Sequence, residues 1–404
     1  MRELDTTPAW EARLQSELSR LEEAGNLRRL TELRAEGLYL AGESGRYLNL
    51  SSNDYLGLTA SAYAALPLEE YWDSTFGAST RSPFRHGNPA SRLMTGNSPE
   101  YGVLEAELAA LYPGRDALVL SCGYMVNAGL MPALAGADDL ILADKLVHAS
   151  IIEGLQHTAA PFRRFRHNDV SHLEHLLRGA KPGQLVWVIL ESVYSMDGDL
   201  APLEDILALR ERYDFRLYVD EAHAFGVRGP NGAGYCAELG CDERVDLLVC
   251  TFGKALAGAG ACVICSPAVK RYLVNKMRPL IFSTALPPCT LEWDAAMVHE
   301  MRCETLAARG YPSLSSLRAR LGERIRLFGQ LTALTPQTQI VPLPAGSNDR
   351  ALELAERGRE AGFWLTAIRH PTVPPGSARI RLSLNAALSD HHLHELAALC
   401  NKLG

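Results

Sequence analysis

Four stretches of this 404-residue chain set reactive side chains directly after short apolar runs. "LYVDEAHAFG" ends one run with Asp220, Glu221 and His223. "TFGKALAGAG" carries Thr251 and Lys254, "ESVYSMDGD" carries Glu191, Ser195 and Asp197, and "DKLVHASI" carries His148. Spelled as letters, Asp-Glu-Ala-His is the Mg-ATP box of a helicase class. That chemistry needs a phosphate loop, G-x-x-x-x-G-K-[ST]. Gly253 precedes Lys254, but Leu248 stands where the first glycine belongs and Ala255 where the hydroxyl belongs. "GAGACV", from Gly258, lacks the third glycine of a dinucleotide fingerprint.

The same side chains suit a different chemistry. A lysine amine kept partly neutral forms a Schiff base. A carboxylate holds a pyridinium proton, an imidazole stacks on an aromatic ring, and N–H groups at a helix start bind a phosphate. Together these are the requirements of pyridoxal phosphate, an electron sink for a carbanion. Each residue alone has an ordinary reading. A loop lysine is usually solvated, Asp220 could cap a helix, His148 could be a satisfied loop histidine, and "CGYMVNAGL" could be only a helix start. Their joint placement after successive apolar runs favours the cofactor.

The elements that must position them follow from hydrophobic periodicity. Strands are expected at Ala117–Leu120, Leu140–Ala143, Leu185–Leu190, Phe215–Val219, Leu247–Thr251 and Cys262–Cys265, with helical runs such as "APLEDILALRERY" between them. This alternation predicts an α/β fold with a largely parallel, helix-covered sheet. Ligands of such sheets gather beyond the carboxyl ends of the strands. Trp10, Leu14, Leu18, Leu21 and Leu27 predict an amphipathic helix over residues 9–35. After about residue 290, helices mixed with short strands predict a smaller α+β region.

Composition narrows the function classes. Apolar residues make up 47% and charged residues 22%, ordinary for a globular enzyme. The net charge of -7 gives no overall basic field for nucleic acid. The nine cysteines are scattered, which argues against a disulfide framework. Cys262-x-x-Cys265 has no second ligand pair, so no metal site is expected. The N-terminus lacks the apolar core of a signal peptide, and no run of about 18 apolar residues predicts a membrane span. A cytoplasmic location is the expectation.

The ordered set "SSNDYLGL", "VHASIIEG", "SVYSMDGDLAPL", "VDEAHAFGVRGPNGAG", "TFGKALAGAGA" and "IFSTALPP" resembles the α-oxoamine synthases. These are fold-type I pyridoxal phosphate enzymes that condense an amino acid with an acyl thioester and release carbon dioxide. "RFRHNDVSHLEHLL" and "LTAIRHPTVPPGSARIRLSLNAA" are similar to the members that join L-alanine to a pimeloyl thioester on acyl carrier protein or coenzyme A. The resemblance implies a large, mostly parallel seven-stranded sheet domain at 49–290, an N-terminal helical arm at 1–48 and a small α+β domain at 291–404. It implies a homodimer with active sites at the interface, and no nucleic-acid or membrane partner.

Residue by residue, the resemblance implies that Lys254 carries the cofactor as a Schiff base and moves the proton. Asp220 would pair with the pyridine nitrogen, His223 with the phenolic oxygen, and His148 would stack on the ring. Gly123 and Tyr124 would offer backbone groups to the phosphate, with Thr251 and Ser195 helping to hold the cofactor. Ser283 and Thr284 would reach the phosphate from the second subunit. Asn53 and Arg381 would hold the amino-acid carboxylate, and Arg28 and Thr372 match positions that contact substrate, as His148 does. One segment departs from the family. "FGASTRSPFRHGNPASRLMTGNSP" is longer than the usual glycine-rich turn and carries Arg81, Arg85, His86 and Arg92. It reads either as a solvated loop or as a basic rim for a substrate carboxylate or an acidic carrier protein.

Overall fold

A computed structural model describes residues 7–403, so residues 1–6 of the predicted arm and Gly404 of the predicted C-terminal domain lie outside the described residues. Contacts group the chain into two compact units. One joins Asn53–Arg324 with Asn385–Ala387. The other joins the residues up to Ser52 with Ile325–Leu384 and Leu388 onward. The division thus falls after Arg324, not at 290/291, and the N-terminal residues group with the C-terminal ones. The helix Pro288–Cys303 shows why: its Leu291, Val298 and Met301 are buried, and it packs along the helix Pro99–Leu111 of the larger unit.

The larger unit is built on a seven-stranded sheet. Its strands in chain order are β1 (Asp116–Leu120), β2 (Leu140–Asp144), β3 (Phe162–Phe165), β4 (Val186–Glu191), β5 (Arg216–Asp220), β6 (Leu247–Thr251) and β7 (Ala261–Cys265). Across the sheet the order is β1-β7-β6-β5-β4-β2-β3. β7 runs antiparallel to both its neighbours, β1 and β6, and the other pairings are parallel. The inner strands are buried almost throughout, as near-continuous apolar runs should be when helices cover both faces. The sequence pattern missed β3. It is an edge strand, Phe-Arg-Arg-Phe, with only Phe165 buried, so it carries no apolar run. Cys262 and Cys265 are three apart on β7 and therefore face opposite sides of the sheet.

The second unit holds the strands Arg34–Glu36, Tyr39–Gly42 and Gly45–Asn49, joined in parallel by Phe363–Trp364. A three-stranded antiparallel sheet runs in the order Ile340–Gly346, Ala378–Ser383, Ala367–Ile368. Its core includes Leu48, Phe328, Leu354, Leu382 and Leu393. The N-terminal helix is shorter than its periodicity predicts. It spans Thr7–Glu23, and Gly25 then turns the chain at φ 63°, a left-handed conformation that ends helices. Leu27 therefore lies beyond it. No helix among the described residues is long and apolar enough to cross a membrane.

The arginine-rich segment is neither a solvated loop nor a cationic rim. Arg81 grips Asp73 with two bonds, at 3.0 and 3.1 Å, and meets Glu69 at 2.8 Å. Arg85 pairs with the fully buried Glu292 on the helix Pro288–Cys303 and reaches Glu69 at 3.0 Å. Arg92 bonds Glu105 at 2.7 Å and the Val119 carbonyl at 2.8 Å. Only His86, of the four cationic candidates, is exposed. The charge is spent inside the unit. Arg85→Ala should therefore strand the Glu292 carboxylate and cost about 3–5 kcal/mol of stability. Arg81→Ala, with more exposed partners, should cost much less. Urea unfolding measures both, and equal losses would contradict this account.

Candidate active site

The carboxyl ends of β1, β2, β4, β5 and β6 open on one cavity of about 330 Å³. Beyond β1 the chain turns at Ser121 and Cys122 into the helix Gly123–Leu134. Gly123 is required there: a Cβ would stand 2.7 Å from the Thr251 methyl. With no side chain, the helix start can face the cavity with its N–H groups exposed, a ready anion site. His148 caps the helix Ala149–Gln156 beyond β2, its Nδ1 accepting the Ser150 N–H at 3.2 Å.

Asp220 closes β5 and is 4% exposed. Its Oδ1 accepts the Ala222 N–H at 2.9 Å and its Oδ2 accepts Asn127 Nδ2 at 2.7 Å. Two donors hold the carboxylate in one orientation at the cavity wall. Glu191 ends β4 in register with Asp220 and also lines the cavity. Burial, reinforced by the Asp220 charge, pushes Glu191 well above the ordinary carboxylate range. Glu221 turns away. It accepts Ser192 Oγ at 2.8 Å and the Tyr235 and Cys236 N–H groups at 2.9 and 2.8 Å.

His223 lies 2.6 Å through Nδ1 from the Tyr55 hydroxyl, which reaches Asn53 Oδ1 at 3.0 Å. Desolvation holds His148 below the usual histidine value; the charge of Asp220 opposes this and that of Lys254 adds to it. Lys254 lines the cavity in the loop after β6. Trp293 pins that loop from below, its indole N–H donating to the Leu256 carbonyl at 2.8 Å.

The cavity thus gathers Gly123, Tyr124, His148, Asp220, His223, Thr251 and Lys254 of the expected residues. Ser195 is buried in the loop after β4 but is not on the wall. Ser283 donates to the Pro279 carbonyl, and the Thr284 carbonyl accepts Ser121 Oγ of the same chain at 3.1 Å. In the other unit, Arg28 reaches Thr372 Oγ1 and the His370 carbonyl, each at 3.4 Å, so two expected substrate contacts adjoin. Arg381 is buried on the strand Ala378–Ser383 and donates to Ser383 Oγ at 2.9 Å. Sequence reasoning passed over Tyr55, Asn127, Ser150 and Tyr218. All four lay inside quoted motifs, "NDY", "VNAG", "VHAS" and "LYVDEAHAFG", and Tyr218 is a strand tyrosine indistinguishable from core.

An amine, a braced carboxylate, two imidazoles and a helix start around one cavity fit pyridoxal phosphate, and Glu191 Oε1 is a buried oxygen with no hydrogen-bond partner among the described residues. The comparisons agree. The aminotransferase class I and II family matches residues 46–399, and the chain belongs to it. Within that family it is an α-oxoamine synthase, a pyridoxal-phosphate-dependent enzyme of acyltransferase type. It is 45% identical to the 8-amino-7-oxononanoate synthase of Chlorobaculum parvum, over 79% of this chain and 81% of that one. It is 43% identical to that of Haemophilus ducreyi, over 76% and 80%. Among solved structures it resembles a serine palmitoyltransferase from S. paucimobilis bound to a PLP–myriocin aldimine. There the TM-score is 0.84 and the identity 25%, covering 100% of this chain and 98% of that one. The 8-amino-7-oxononanoate synthase of Francisella tularensis gives a TM-score of 0.68 at 26% identity, covering 88% and 97%.

The "RFRHND" stretch braces the loops around the site. His167 Nδ1 meets Asp144 at 2.9 Å and Nε2 meets Asp199 at 2.7 Å, while Asn168 bonds both carboxylates at 2.9 Å. Asp144 ends β2, four residues before His148, and Asp199 lies in the turn that carries Ser195. Burial alone would lower His167, but the two carboxylates outweigh it and raise the ring to about 10. The raised value means the stabilisation is complete below about pH 6.5, the unfolded value, and is lost as pH climbs through about 10. His167→Gln should cost about 2 kcal/mol near pH 6, the order of a hydrogen bond to a charged group. The gap from wild type should close near pH 10.5 in urea unfolding; a gap that stays constant with pH would contradict the ion-paired clamp.

Proposed function

We propose that the chain condenses L-alanine with a pimeloyl thioester, on acyl carrier protein or coenzyme A, to give 8-amino-7-oxononanoate, carbon dioxide and the free carrier thiol, a cytoplasmic step of biotin synthesis. The observation that carries this reading is the convergence of Lys254, Asp220, His223 and His148 on one cavity in a chain 45% identical to a protein of that name. Bound pyridoxal phosphate supplies the electron sink for a carbanion at the amino-acid Cα. The Lys254 amine removes the Cα proton and later returns one. Asp220, held by Asn127 and Ala222, keeps a proton on the pyridine nitrogen. His223, itself held by Tyr55, would hydrogen-bond the phenolic oxygen, and the N–H groups from Gly123 onward would hold the phosphate. Arg381 would bind the amino-acid carboxylate, a planar bidentate task for the guanidinium. Arg28 and Thr372 contact substrate.

A homodimer fits the same reading. Phe282 and Met94, 70% and 78% exposed in the single chain, flank Ser283, Thr284 and the Ser91–Thr284 bridge. A second copy would cover them while Ser283 and Thr284 serve its phosphate.

Serine palmitoyltransferase is the second reading, favoured by the TM-score of 0.84 against 0.68. The sequence weighs the other way, 45% identity against 25%. Backbone similarity reports the shared scaffold, whereas acyl choice depends on side chains, where single groups are worth about 1–3 kcal/mol. 2-Amino-3-ketobutyrate ligase, using glycine and acetyl-coenzyme A, differs in the same way. Turnover of alanine, glycine and serine against pimeloyl, acetyl and palmitoyl thioesters should peak for alanine with pimeloyl; a serine–palmitoyl maximum would overturn the proposal. Lys254→Ala should remove both turnover and the visible absorbance of the lysine-bound cofactor.

A further inference from the structure

Asn127 is fully engaged in a buried network that joins two walls of the cavity. Its Oδ1 accepts the hydroxyl proton of the buried Tyr218. Its two Nδ2 protons go to Asp220 Oδ2 at 2.7 Å and Ser150 Oγ at 3.0 Å. Turning the amide round would set its oxygen against the Asp220 carboxylate, acceptor against acceptor, so the network itself selects the orientation. Ser150 Oγ, having received a proton from Asn127, has its own to give. It lies 2.7 Å from His148 Nδ1. The Ser150 backbone N–H points at the same nitrogen from 3.2 Å, and a backbone N–H can only donate. His148 Nδ1 is therefore an acceptor facing two donors.

We propose that Asn127 and Ser150 are positioning residues that lock His148 in the neutral tautomer with its proton on Nε2, so that the ring offers the cavity a donor and never a base. The inference rests on the pyridoxal-phosphate reading for its purpose but not for its geometry. It gives the Cα proton to Lys254 alone and makes His148 a donor to an acceptor oxygen of the bound substrate. It also ties that tautomer to Asp220, because the same amide serves both. The charged groups facing the ring are Asp220, which favours its protonation, and Lys254, which opposes it; Glu191 takes the His148 backbone N–H rather than the ring.

The test is long-range ¹⁵N–¹H NMR of the full chain labelled at histidine, with the signal assigned by His148→Gln, first without cofactor and then with it. Wild type should show the proton on Nε2 and an acceptor Nδ1, titrating below the ordinary histidine midpoint. Ser150→Ala should raise that midpoint by about half to one pH unit, the size of one lost hydrogen bond, and admit the other tautomer. Ser150→Thr, which keeps the hydroxyl, should restore both. A proton on Nδ1 in wild type overturns the proposal even if no variant folds, and so does an unchanged midpoint and tautomer in Ser150→Ala. The cofactor-free spectra stand whatever the chain catalyses. The expected tautomer without Lys254-dependent visible absorbance would remove the functional reading and leave the network.

Discussion

A carboxylate taken out of water at the end of an apolar sheet costs several kcal/mol unless its oxygens are met by donors. Asp220 is in that position, and much of the site follows from how it is met. One oxygen uses the Ala222 N–H, available because the chain turns directly after β5. The other needs a donor from a different element, and Asn127 supplies it from the second turn of the helix after β1. That helix can approach only because Gly123 leaves room for Thr251. A single charge thus fixes the spacing of three loops, and the same spacing opens the cavity.

The second carboxylate on the wall is treated in the opposite way. Glu191 has the same register on the neighbouring strand, yet burial and the Asp220 charge push it well above the ordinary carboxylate range. Two like charges side by side repel, which disfavours ionising both acids at once. Glu221, one residue beyond Asp220, faces the other side and is satisfied by a serine hydroxyl and two backbone N–H groups. Three acids within two neighbouring strand ends therefore have three different environments, and only one of them is equipped to hold a ring nitrogen's proton.

Charge elsewhere is handled by pairing. Arg81, Arg85 and Arg92 turn inward to Asp73, Glu69, Glu292 and Glu105, which stitches the long segment after Phe76 to the helices around it. The buried Glu292 explains why Arg85 cannot serve as a surface cation. His167 does the equivalent work near the site, joining the strand end that leads to His148 with the turn that carries Ser195. Of these clamps, the His167 one ties together the loops that carry His148 and Ser195.

Much was legible in the sequence because the physics there is local. Buried parallel strands need apolar runs, and the runs located six of the seven strands of the large sheet to within a residue or so. Polar residues directly after such runs mark a ligand site, which is why Asp220, His223, His148, Thr251 and Lys254 could be singled out. The edge strand β3 was not legible, because an edge needs no apolar run, and the end of the N-terminal helix at Glu23 was set by one glycine conformation. Tyr55, Asn127, Ser150 and Tyr218 gave no signal because the bonds that bring each of them into the network span long stretches of chain; Asn127 bonds residues 23, 91 and 93 positions away, and Tyr55 meets His223 168 positions away. Composition and local pattern determined which residues could do the chemistry. Only the tertiary structure decided which donors meet which acceptors, because hydrogen-bond pairing depends on distances of about 3 Å that the order of residues does not contain.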